Sequence, residues 1–78
     1  MSEKTTINGI VIPEAWDEKG GITSIAIVTF NEEKYVVKDT AKGRNLKSFL
    51  RNRVKVHGII EKHEQINMIA VDHFQEDI

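Results

Sequence analysis

The chain contains no cysteine, which excludes a disulfide framework and any thiolate metal site. Proline occurs once, as Pro13, so no proline-rich linker divides the chain. Aromatic residues are few: Trp16, Phe30, Tyr35, Phe49 and Phe74. No apolar run approaches the ~18 residues that a membrane-spanning helix needs. The opening residues, Met1-Ser2-Glu3-Lys4-Thr5-Thr6, hold no apolar signal-peptide core, and the expected location is the cytoplasm. There is no glycine-rich phosphate loop, no HExxH and no nucleophile motif. Gly20-Gly21 is not followed by a helix, so it reads as a turn and not a phosphate cradle. Neither enzymatic activity nor a cofactor is expected.

What is present is a 78-residue chain, 40% hydrophobic and 29% charged, a globular balance. One domain over residues 1–78 is expected, with its ordered core at about 5–74. A chain of this length hides only about 60% of its unfolded surface, so the core is thin. The formal net charge of −1 conceals three zones. Residues 1–33 sum to −4, residues 34–55 to +7 and residues 56–78 to −4. The basic middle is either a nucleic-acid footprint or a segment on which the acidic ends fold back.

The hydropathy pattern reads as five strands and one helix. Thr5–Pro13 is a first strand with apolar residues at both parities, Ile7 and Val11 against Ile10 and Ile12. Gly9 marks a bulge or bend within it, and Pro13 is expected to end its regular pairing. Glu14 to Gly21 reads as a loop. Ile22–Phe30 and Lys34–Asp39 form a hairpin about the turn Asn31-Glu32-Glu33. Lys34 and Lys38 face solvent with Val36 between them, so Tyr35 and Val37 point inward. Both faces of the second strand are apolar, which leaves its parity open; the orientation favoured puts Ile25 and Ile27 inside and Phe30 outside. Leu46, Phe49 and Leu50 recur at helical spacing, predicting a short helix over about 42–52 that plugs the barrel. Asn52 stands where a left-handed cap residue is wanted. Val54, Val56, Gly58 and Ile60 alternate with Lys55, His57 and Glu61 in a fourth strand. A polar turn over 61–64 leads to a fifth strand, Gln65–Phe74, and a frayed acidic tail.

Three strands, a helix and two strands is the order of the OB-fold, a five-stranded Greek-key barrel. A small SH3-like barrel is the alternative, although it would not need the helix. The run Arg53-Val54-Lys55-Val56-His57-Gly58-Ile59-Ile60, a turn, and Ile66-Asn67-Met68-Ile69-Ala70-Val71 resembles the last hairpin of OB-fold proteins. With Thr29, Tyr35, Val37 and the Leu46–Leu50 segment, the chain is similar to small stand-alone bacterial OB-fold proteins over about residues 5–74. The resemblance implies a ligand across the outer face of strands 2 and 3, gripped by the loops joining strands 1–2 and 4–5. The candidate ligand-binding residues are then Trp16, Lys19, Phe30, Lys34, Lys38, Lys62 and His63.

The partner expected there is single-stranded nucleic acid, with lysines along the backbone and Trp16 and Phe30 as stacking platforms. The alternative is a protein partner on the same barrel face or on an exposed strand edge. Trp16 can equally serve as cover for the barrel mouth. His57, His63 and His73 match no zinc spacing and read as solvated or hydrogen-bonded side chains, with His57 and His73 on strands expected to pair. Asp17-Glu18 reads as a solvated turn. The sequence does not indicate an oligomeric state.

Overall fold

Alternation and length decide the strands, and the computed structural model, which describes residues 3–77, closes them into one barrel. The elements are β1 (Glu3–Trp16), β2 (Ile22–Thr29), β3 (Lys34–Val37), α1 (Ala41–Asn45), a 3-10 turn (Leu46–Phe49), β4 (Arg53–His63) and β5 (Ile66–Glu76). Around the barrel the order is β1-β2-β3-β5-β4, and β4 returns to β1. All pairings are antiparallel except β3 with β5. This closed mixed barrel, with its helix between β3 and β4, is consistent with an OB-fold. Closure runs through β1 and β4 with Ile7 opposite Val56 and Ile10 opposite Arg53.

One parity of each strand fills the interior. Val11, Ile25, Ile27, Val37, Val54, Val56, Ile69 and Val71 form the buried cluster together with Leu46. Ile25 and Ile27 are therefore inside as expected, and Tyr35 packs against the cluster from its rim. Gly9 permits a close approach: a Cβ there would strike the Val28 carbonyl and lie 2.8 Å from Ile27 Cγ2. It does not mark a bulge, since its pairs with Thr29 and Val54 are regular. The register shifts in β1 come later, between Pro13 and Trp16. Pro13 interrupts the ladder without ending the strand, because Ala15 and Trp16 pair again with Ser24 and Ile22. The expected loop shortens to Asp17–Gly21.

The helix is shorter than the 42–52 expected. Thr40 caps it by accepting a hydrogen bond from the Gly43 amide at 3.0 Å. Its few residues include Gly43, a poor helix former, and the first turn carries no acid to complement the helix dipole. After Asn45 the chain tightens into 3-10 geometry. Leu46 is nonetheless fully buried, and Phe49 meets the Phe74 ring edge-on at 5.3 Å. Because the helical segment ends at Phe49, the chain reverses at Arg51 (φ 68), whose amide donates to the Val11 carbonyl. Asn52 is not the left-handed residue; its amide instead returns to the Phe49 carbonyl.

Two further boundaries move. β4 extends to His63 because Glu64 (φ 59) and Gln65 suffice to turn it into β5. Lys62 and His63 are therefore strand residues rather than loop residues. The tail expected to fray continues β5 to Glu76, opposite Val54. Residues 1, 2 and 78 of the expected domain lie outside the described residues.

Candidate ligand-binding faces

The outward parity of the barrel divides into two surfaces of different chemistry. The first lies over β2 and β3, where the sequence places the ligand. Ile12, Ala26, Val36 and Met68 stand opposite one another across β1, β2, β3 and β5. Ile10 and Val28 form the next row, beside Lys34. Residues opposite one another share a face, and these alternate with core residues, so this row points outward. Ala26 is fully buried although it is not part of the core cluster. It stands between Ile12 and Val36 in the row.

The lysines that border this face are already engaged. Lys34 Nζ lies 2.9 Å from Glu14 Oε1, and Lys38 Nζ lies 2.9 Å from Glu61 Oε2. His63 Nε2 is 3.1 Å from the other Glu61 oxygen. These contacts hold the Glu61 carboxyl below its ordinary value, the Lys38 hydrogen bond first and the His63 hydrogen bond second. At the lower rim, Tyr35 donates to Glu33 at 2.8 Å, and that bond to a carboxylate raises the phenol. Of the expected site residues, Lys34, Lys38 and His63 thus share one face.

The others do not join them. Lys62 has the opposite parity to His63, pairing with Asn67. Phe30 lies past the end of β2 with the Arg53 guanidinium 5.0 Å from its ring centre, and 59% of its surface is open. Trp16 ends β1 opposite Ile22 and stays 57% exposed, more than a ring closing over the barrel would be. Lys19 sits in the Asp17–Gly21 turn. The Asp17 carboxylate accepts from the amides of Lys19 (2.9 Å) and Gly21 (2.8 Å), so Asp17 builds that turn rather than merely solvating it.

The second surface lies over β4 and the adjoining halves of β1 and β5. Thr6, His57 and His73 stand in one row, and Asn8, Lys55 and Gln75 in the next. Arg53 follows, opposite Ile10. The His57 and His73 rings stack at 4.1 Å with 19° between their planes. Thr6 Oγ1 and His57 Nδ1 share a hydrogen bond of 2.7 Å. His73 Nδ1 lies 3.4 Å from Asp72, whose carboxyl is lowered by that contact first and by Lys42 second. Among the described residues no group of three or more side chains is arranged to hold a metal ion.

Of the second surface the sequence assigned only Phe30, at its edge beside Arg53, to a site. The signal was present in the alternation Arg53-x-Lys55-x-His57, which sends three polar side chains to one face. The histidine stack was not legible in the same way. It depends on the register shift between His57 and Gly58, where His57 faces His73 but Gly58 faces Val71. The charge zones resolve as pairing in part: Glu14, Glu61 and Asp72 of the acidic ends reach Lys34, Lys38 and Lys42 of the basic middle. No protein-family model matches the chain, and neither a curated protein nor a solved structure matches it.

Proposed function

We propose that this barrel is a binding module that engages a protein partner through its β2–β3 face. One observation carries the reading. The row Ile12, Ala26, Val36 and Met68 is apolar, and the lysines beside it are neutralised by Glu14 and Glu61. An apolar centre with a charged rim is the anatomy of a protein interface. Exposed Ile66, in the hairpin that carries His63, adds apolar surface at its border. Within the family resemblance, this is the ligand face of stand-alone OB-fold proteins, used here for a polypeptide.

Single-stranded nucleic acid on this face is the less supported reading. A phosphate reaching Lys34 or Lys38 would have to displace a carboxylate at 2.9 Å. The nearest aromatic, Phe30, stands beside Arg53 rather than between the lysines. The test is capture from a nuclease-treated cell extract on the immobilised chain. A partner retained by the native chain is expected to be lost with Val36→Glu plus Met68→Glu and kept with Lys34→Ala plus Lys38→Ala. Retention by the glutamate variant, or shifts of the Lys34 and Lys38 amides on adding oligothymidylate, would overturn the assignment.

A further inference from the structure

We infer that the β4-centred face is a second, separate binding surface, and that its ligand is single-stranded nucleic acid. The inference does not depend on the β2–β3 face. Three features meet there. Lys4, Arg53 and Lys55 form no ion pair among the described residues. Flat rings lie between these cations, the stacked His57–His73 pair in the middle and Phe30 at one end. Thr6, Asn8 and Gln75 supply neutral hydrogen-bonding groups in the same rows.

Three carboxylates border this face: Asp77 stands opposite Arg53, Glu33 is held by Tyr35, and Asp72 lies at the other end. Asp72 is engaged by His73 and lies 3.7 Å from Lys42. Cations at alternate strand positions stand about 6.8 Å apart, a spacing that lets one extended backbone pass several of them. Two clefts border the track. One, of about 330 Å³, is lined by Lys4, Ile59, Ala70 and Asp72. The other, of about 430 Å³, is lined by Thr6, Asn8, Phe30, Asn31 and Tyr35, with the Glu33 carboxylate that Tyr35 holds. Unpaired bases can use rings and clefts; a duplex offers this surface only its phosphates. Single strands bind such surfaces by stacking bases on rings while cations follow the backbone.

The experiment is an amide-shift titration of the whole chain with oligothymidylate of about 12 nucleotides, within the span of one such barrel. Shifts are expected at Thr6, Asn8, Phe30, Lys55, His57 and His73, and not at Val36 or Met68. With roughly three phosphates neutralised, the logarithm of affinity should fall with the logarithm of salt at a slope of about −2. Arg53→Glu with Lys55→Glu should weaken binding on the order of 10-fold or more. His73→Ala, whose site is exposed and whose fold is checked by its own amide spectrum, should weaken it on the order of 5- to 100-fold if a base stacks there. Lys34→Glu with Lys38→Glu should leave it unchanged. The assignment falls if shifts follow Lys34 and Lys38, or if no shift occurs at low salt. It also falls if polyphosphate or polyglutamate binds as tightly as the oligonucleotide, which would make the face a polyanion or acidic-peptide surface.

Discussion

The two outer faces of this barrel share two of its strands, yet they treat charge in opposite ways. β1 and β5 contribute to both. Over β2 and β3 the outward residues are Ile10, Ile12, Ala26, Val28, Val36 and Met68, and the adjacent lysines are tied to Glu14 and Glu61. Over the first half of β4 the outward residues Arg53, Lys55 and His57 are polar or cationic, with exposed Ile59 beyond them, and Arg53 and Lys55 remain unpaired among the described residues. A lysine's place in the sequence therefore says little about its availability. Lys34 and Lys55 are both outward strand residues, but only Lys34 has a carboxylate brought to it, Glu14 of β1 reaching across the intervening β2. Exposed ion pairs of this kind add little to stability, typically less than ~1 kcal/mol. Their larger effect is on which cations a ligand can reach.

The most disruptive way to break this comparison is to remove what both faces rest on. Leu46 is fully buried in the shared core. Leu46→Ala should cost about 2–5 kcal/mol in denaturant unfolding, and amide protection should fall on both faces together. Loss confined to one face would mean that the two halves of the barrel open independently. Gly58→Ala discriminates between the faces. A Cβ there would run into the Ala70 carbonyl, a backbone atom with little room to yield. Crowding of this kind costs about 1–3 kcal/mol and should separate His57 from His73 while the β2–β3 pairs keep their amide–amide contacts. Unaltered His57 and His73 ring signals in a folded Gly58→Ala variant would contradict the register described.

A smaller effect tests the turn that leads into β4. Arg51 occupies the left-handed region, which costs an ordinary side chain roughly 1 kcal/mol or more. Arg51→Gly should raise the denaturant midpoint by the equivalent of up to about 1 kcal/mol, whereas Asn52→Gly should not raise it. The reverse ranking would restore Asn52 as the cap. The smallest effect concerns the neutralised face. Glu61 is held below its ordinary value by Lys38 and then His63, while the unfolded chain keeps the ordinary one. The stabilisation is therefore complete above the unfolded glutamate pKa of about 4.3 and lost as pH falls through the lower folded value. Stability measured against pH should show this acid limb in the native chain and a shallower one in Glu61→Gln. Identical limbs would mean that the Lys38–Glu61 pair does not persist in solution.

Several boundaries lie beyond where the sequence predicts them, for one reason. Propensity signals mark where a strand is weak, and a barrel overrides them by supplying partners. Pro13 lacks an amide proton, yet Ala15 and Trp16 resume pairing because β2 runs alongside. The acidic tail stays in β5 because β4 begins opposite it. Asn52 is the better left-handed residue by type, but the helical segment stops at Phe49 and leaves the reversal to Arg51.

By itself the sequence determined the order of elements, the inward parity of Val37, Val54 and Val56, and the burial of Leu46, whereas Ile25-Ala26-Ile27-Val28 is apolar on both faces and its parity was decided by the barrel. These follow from local alternation and helical spacing, which a chain carries wherever its neighbours lie. Only the tertiary structure decided which cations are free, which rings meet and which outward rows join into a face. Those outcomes depend on register across strands distant in sequence. Glu14 reaches Lys34 and Glu61 reaches Lys38 across strand pairings, and His57 reaches His73 only beside a shifted register. A one-residue slip in any of these pairings would turn the side chains to the other face.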